Sequence, residues 1–167
     1  MQSTSTIKTN LQILPSLSIG GVERGTVDIA RALVESGWRA LVASAGGPMV
    51  RELERCGAEH ITLPLNSKDP LFIFRNTHRL IHLIRSHKVD IIHARSRAPA
   101  WSAKHAASAA KIPLITTFHG VYGHGPFGIK KHYNRIMTKG EIVIAVSEFI
   151  RAHIMKNYDV PTERIRV

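Results

Sequence analysis

Short apolar runs of strand length alternate along the chain with longer stretches whose apolar positions recur every three or four residues. The runs Leu11–Leu14, Ala40–Ser44, His60–Leu63, Asp90–Ala94, Leu114–Phe118 and Ile142–Val146 predict strands. The stretches Val22–Ser36, Pro48–Cys56, Leu71–His87, Ala98–Ala110, Gly128–Lys139 and Glu148–Asn157 predict helices. Each predicted strand is short, β-branched and nearly continuous in apolar residues, the pattern of a strand covered on both faces. The alternation predicts a doubly wound α/β domain, a mostly parallel sheet with helices on both faces. On the helix Leu71–His87, the residues Ile73, Phe74, Thr77, Leu80, Ile81 and Ile84 share the face expected to pack on the sheet. Arg75, His78, Arg79, His82 and Arg85 take the basic, outward side.

Punctuation supports these bounds. Gly37 and Gly57 close the first two helices, Pro113 follows the fourth, and Ser147 stands where a helix cap is needed. Residues 1–10 read as a flexible N-terminal segment and residues 11–167 as one domain. Pro161-Thr162-Glu163-Arg164 reads as a turn, and Ile165-Arg166-Val167 opens a strand that stops at once, so the chain is expected to continue in the natural product.

Ligands of open α/β sheets bind outside the carboxyl ends of the strands, and the unusual residues of this chain gather there. Gly20-Gly21 follows the first strand; without a Cβ the backbone can approach a ligand, and the next helix aims free N–H groups at it. A plain tight turn is the other reading. Ser44-Ala45-Gly46-Gly47 follows the second strand, His93-Ala94-Arg95-Ser96-Arg97 the fourth, Phe118-His119-Gly120 the fifth and Ser147-Glu148 the sixth. His119, with Gly120 behind it, is placed to bond a sugar hydroxyl or steady developing charge, or to be satisfied by backbone at the sheet edge. Arg95 and Arg97 offer forked guanidinium groups to a phosphate or acidic acceptor, or form a solvated basic loop. Ser96 reads as a cap or turn residue, because spacing fixes no acid–base partner beside it.

Charge narrows the partners. Lys and Arg number 23 against 12 Asp and Glu, a net charge of +11 with ten histidines besides, which favours anionic partners. No zinc-finger spacing, RNA-binding signature or aromatic platform speaks for nucleic acid, and aromatics make up 6%. Lys130-Lys131-His132, with Arg135 and Lys139, forms a second basic stretch; it and the basic side of Leu71–Lys88 suit either plain solvent or an anionic membrane surface. His78, His82 and His87 share one helix and His119 and His124 flank a glycine-rich loop, but no metal-ligand spacing appears and no metal or cofactor is expected. A single cysteine, Cys56, a polar start at Met1–Thr9 and the lack of a long apolar run suit the cytoplasm.

Four stretches carry a resemblance: Gly20-Gly21-Val22-Glu23-Arg24-Gly25-Thr26, Asp90 to Trp101, Thr116-Thr117-Phe118-His119-Gly120, and Ile144-Ala145-Val146-Ser147-Glu148. In this order they resemble the N-terminal, Rossmann-like half of a family 4 glycosyltransferase of the GT-B fold. The arginine-containing stretch and Tyr133-Asn134-Arg135-Ile136-Met137 look like bacterial members that build lipopolysaccharide or related surface glycans. The resemblance implies retaining transfer from a nucleotide-diphosphate sugar to a glycan or lipid-linked acceptor, without a catalytic metal. It implies His119 near the transferred sugar. Gly20, Gly21, Glu23, Gly120, Ser147 and Glu148 would then lie on the donor side, and Arg24, Arg95, Ser96 and Arg97 on the acceptor side. The family's second domain, with a basic residue and two glutamates for the donor, does not follow within these residues. The chain alone is therefore expected not to turn over, and a stand-alone binding module or half of a nucleotide-sugar epimerase shares the same sheet pattern.

Overall fold

The sheet follows from the alternation. In a computed structural model that describes residues 7–123, 125 and 129–167, the strands are β1 (Thr9–Ile13), β2 (Arg39–Ser44), β3 (Glu59–Thr62), β4 (Ile91–Ala94), β5 (Leu114–Phe118), β6 (Ile142–Ala145) and β7 (Ile165–Arg166). All pair in parallel, in the order β3-β2-β1-β4-β5-β6-β7, so the direction of winding reverses between β1 and β4. The helices are α1 (Gly21–Glu35), α2 (Val50–Arg55), α3 (Pro70–Ser86), α4 (Arg97–Ala110), α5 (Ile129–Asn134) and α6 (Glu148–Asn157). A 3₁₀ turn over Arg135–Thr138 ends the predicted fifth helix early, and its predicted start at Gly128 lies outside the described residues. The doubly wound α/β class is as the pattern required.

Alternating strand residues divide the core. Leu11, Ile13, Ile92 and Ala94 pack with Leu80 and Leu83 of α3 and with Ala100, Ala103 and Ala107 of α4. Leu14, Val42 and Ala40 pack with Val27 and Ala30 of α1 and Leu53 of α2 on the other side. The expected packing face of α3 needs correction. Its buried residues are Asn76, Leu80, Leu83 and Ile84, whereas Phe74 is 62% exposed. Asn76 is drawn inward because its amide donates to the Pro64 carbonyl at 2.8 Å. Asp69 caps α3 by accepting from the Leu71 and Phe72 N–H groups, with Pro70 in the first turn. Another correction concerns the N-terminus: Thr9 and Asn10, expected in the flexible segment, are buried in β1, while residues 1–6 lie outside the described residues.

Two loops at the carboxyl edge are knitted together before any ligand is considered. The Leu17 N–H donates to the Gly46 carbonyl at 2.8 Å, and the Leu17 carbonyl accepts from the Met49 N–H at 3.1 Å. Gly47 sits at φ +147°, and a Cβ there would lie 2.3 Å from the Leu17 carbonyl oxygen. Only glycine meets both the dihedral and the contact. The Gly47→Ala variant is therefore expected to lose about 1–3 kcal/mol of stability, read from its urea midpoint, with amide shifts spreading to Gly20 and Gly21 across the same loop pair. A midpoint unchanged from wild type would show that the two loops are not coupled in this way.

Candidate functional site

The winding reversal puts the β1–α1 loop and the β4–α4 junction side by side, where a crevice is expected in this class of sheet. Gly20 precedes α1 in an extended conformation with no side-chain cap, and nothing lies within 4 Å of where a Cβ on Gly21 would stand. Glu23 folds its carboxylate back over this end: Oε2 comes within 2.6 Å of a Cβ position on Gly20. The helix terminus and its dipole favour negative charge there.

Arg95 occupies the reversal point from the β4 side. Its N–H donates to the Ile13 carbonyl at 3.0 Å, and its Nη1 donates to Gln12 Oε1 at 3.0 Å inside the sheet edge. A Cβ on Gly25 would lie only 3.0 Å from Nη2, so a glycine one turn into α1 makes room for the guanidinium. The side chain is 5% exposed, and among the described residues no carboxylate pairs with it. Among the described residues neither Arg95 Nε nor His119 Nε2, both buried, has a hydrogen-bond partner. A buried guanidinium without a counterion is costly unless an anion arrives. The arrangement can receive one.

Burial sets the protonation of the neighbours. It pushes the Arg95 guanidinium down to about 10, which leaves it charged at neutral pH. Burial first, and the Arg95 charge second, pull the His119 imidazole down to about 4. His93, buried in β4 with Nε2 2.7 Å from Thr117 Oγ1, is pulled to about 3 by burial, then by Arg95 and His119. Both imidazoles are therefore neutral at pH 7 beside one cation. Gly120 leaves open space where a Cβ would stand, in keeping with an accessible His119 loop.

The other sequence candidates part company. Arg95 and Arg97 do not form a paired, solvated loop. Arg95 turns toward α1, while Arg97 donates to Asn134 Oδ1 at 2.8 Å and lies 4.4 Å above the Tyr122 ring. Arg24 turns to Glu52 of α2 in an ion pair that raises its pKa. Ser96 is the residue before α4 but makes no side-chain cap bond. Ser147 does cap α6, accepting from the Ile150 N–H at 3.3 Å, and the exposed Glu148 pairs with Arg151. Gln12, Gly25 and His93 escaped assignment to the site. A glutamine amid an apolar strand and a glycine in a helix interior were the available signals. Among the described residues no group of three His, Cys, Asp or Glu is placed to hold a metal; His124 lies outside them.

Comparison with known proteins bears on this arrangement. The sequence profile described as Glycosyltransferase Family 4 matches residues 19–167. A solved glycosyltransferase from Rickettsia africae ESF-5 is 43% identical with a TM-score of 0.83, covering 96% of this chain and 42% of that one. Anabaena Alr3699/HepE, solved with UDP and glucose, is 21% identical with a TM-score of 0.74, covering 97% of this chain and 44% of its own. The lipopolysaccharide outer core galactosyltransferase WaaB is 15% identical with a TM-score of 0.70, covering 96% and 45%. The last two show likeness of fold. The chain spans less than half the length of all three structures. No curated protein matches it.

Two measurements probe the cluster. In an Arg95→Gln variant the pKa of His119, followed by NMR, is expected to rise from about 4 but to stay below its ordinary value, because burial remains the larger cause; an unmoved titration would separate the two residues electrostatically. His93 has a depressed folded pKa, so its contribution to stability is complete above about pH 6.5 and is lost as pH falls from there toward 3. Over that window it adds a slope of up to about 1.4 kcal/mol per pH unit. Urea unfolding between pH 7 and pH 5 should be less pH-dependent in His93→Gln than in wild type, and an equal slope would mean His93 is not held neutral.

Proposed function

The chain belongs to glycosyltransferase family 4, and we propose that it is the acceptor-side half of a retaining transferase that moves a sugar from a nucleotide-diphosphate sugar to a glycan or lipid-linked acceptor. The observation that carries this reading is the buried, counterion-free Arg95 beside the uncapped N-terminus of α1. A departing nucleoside diphosphate gains negative charge as the bond to the sugar breaks, and donors already fixed in place stabilise that charge without reorganising. Gly20 and Gly21 let the α1 terminus approach the diphosphate, and Arg95, which the resemblance put on the acceptor side, is reassigned here to the donor because its guanidinium turns toward α1. Glu23 must swing off Gly20 or bond a donor hydroxyl when the anion binds.

His119 acts in this scheme as a neutral imidazole. Its unpartnered Nε2 is available to hydrogen-bond a hydroxyl of the transferred sugar, orienting the anomeric carbon toward the acceptor. Ser96 and Arg97, at the start of α4, form the acceptor wall, with Arg97 steadied by Asn134 and Tyr122. Gly120, Ser147 and Glu148 edge the donor side. Synthesis of bacterial envelope polysaccharide at the cytoplasmic face of an anionic membrane suits the net charge of +11, and the Rickettsia africae relative is itself a glycosyltransferase. A second reading that the same sheet allows is a stand-alone module that binds sugar or nucleotide without transfer.

The test uses radiolabelled UDP- and GDP-sugars with a lipid-linked acceptor extract. The 167-residue chain is expected to give no transfer, and a longer form carrying a second α/β domain to give turnover that His119→Ala lowers by about 10²-fold or more. Undiminished turnover in that variant would remove His119 from the mechanism. Donor binding without transfer by any form would leave the module reading.

A further inference from the structure

Away from the crevice, α3 and α4 enclose a groove of about 630 Å³ beside α5. Ile73, the exposed Phe74, Trp101 and Tyr133 give it an apolar wall, and Trp101 and Tyr133 stack with ring centroids 6.1 Å apart. The Ser102 hydroxyl donates to the Ile73 carbonyl at 3.0 Å and so ties the two helices together. Past Trp101 and His105 the groove continues into a hollow of about 550 Å³, bordered by Lys104, Arg135 and Lys139. Both volumes lie in the range of small-molecule sites.

Two observations point to the occupant. The first is charge. Between Pro70 and Gly140 the sequence holds a single acidic residue, Asp90. Asp90 is spent at the opposite edge of the sheet, where it accepts from the Thr9 N–H at 2.8 Å and pairs with Lys8. The nearest other carboxylates are also engaged: Asp69 caps α3, and Glu141 accepts from the Leu114 N–H. Among the described residues Lys104, Arg135 and Lys139 have no ion-pair partner. The second is the apolar wall itself. Ile73, the exposed Phe74 and the stacked rings of Trp101 and Tyr133 present an apolar lining that an alkyl chain would cover.

We propose that this groove binds one molecule of an aliphatic phosphate ester, its chain lying along Phe74, Ile73 and the Trp101–Tyr133 stack and its phosphate resting on Lys104, Arg135 and Lys139. A concave, walled channel fits a single chain better than the flat face of a bilayer, and three cations, Lys104, Arg135 and Lys139, gather at one end of the apolar wall against Lys68 alone elsewhere along it. Tyr133 also lies 5.9 Å from the Arg97 guanidinium at the start of α4. The groove thus adjoins the proposed acceptor wall. The ligand's part in transfer rests on the lipid-linked acceptor reading above; its binding does not.

Trp38→Phe leaves Trp101 as the sole tryptophan, a reporter inside the groove. In that background dodecyl phosphate, titrated below its micelle concentration, is expected to give a saturable shift of Trp101 emission. Dodecyl glucoside, with a comparable chain and no charge, should bind at least tenfold more weakly, and inorganic phosphate should give no shift. The triple variant Lys104→Glu, Arg135→Glu, Lys139→Glu and the separate Phe74→Asp should each weaken dodecyl phosphate at least tenfold, with far-UV circular dichroism unchanged. Phe74 and Arg135 are exposed, so these changes leave the core intact. Equal affinity for charged and neutral chains, a comparable response to inorganic phosphate, or a response only to phosphatidylglycerol vesicles would overturn the proposal. Calorimetry on the unsubstituted protein in its longer, two-domain form keeps the two readings apart: absence of UDP-sugar binding with dodecyl phosphate still bound counts against the transferase scheme, and absence of dodecyl phosphate binding with UDP-sugar still bound counts against this groove.

Discussion

A guanidinium shut into the edge of a sheet, with no carboxylate paired to it among the described residues, is the constraint around which this domain is arranged. Arg95 is held by a backbone bond to β1, by Gln12 and by the space that Gly25 leaves in α1. Each comes from a different element, so the charge is placed only when β1, β4 and α1 are all in register. Its field then reaches His119 and His93, adding to a burial that already disfavours their charged forms. The result is one fixed cation with neutral imidazoles near it, rather than a diffuse basic patch.

That outcome separates two kinds of positive charge. Arg95 is desolvated and therefore strong toward an anion that reaches it, since no water competes. The lysines and arginines of α3, α4 and α5 are solvated and weak one by one, and they act through number and through the lack of nearby acids. The β4–α4 junction divides them. Arg95 faces β1 and α1, whereas Arg97, two residues on, faces Tyr122, Tyr133 and the α5 side. The helical step after Ser96 turns consecutive basic residues to different neighbours.

The glycines of the carboxyl edge also divide by physical role. Gly47 is demanded by a backbone contact with Leu17 and by its dihedral angle, so it builds the scaffold of the loop pair. Gly21 and Gly120 face open space, and there the absent side chain keeps room for something not part of the chain. Gly25 yields its space to the Arg95 side chain. The same residue type thus serves fold, access and charge placement in turn.

Periodicity alone determined the class of fold and the number and order of the long elements, because burial on both faces and helical repeat leave direct marks on neighbouring residues. It also placed Ser147 at its cap and Gly37 and Gly57 past their helices, for these depend on contacts a few residues away. The tertiary structure decided what depends on contacts between residues far apart in sequence. Position 95 meets position 12, position 93 meets position 117, and position 24 meets position 52. No spacing rule relates such partners, and so the sequence could name Arg95 and Arg97 but not part them. The exposure of Phe74 was hidden for the same reason: helical spacing marks an apolar stripe, while the neighbours that α3 receives from α4 and from the Pro64 carbonyl set which edge of the stripe is covered.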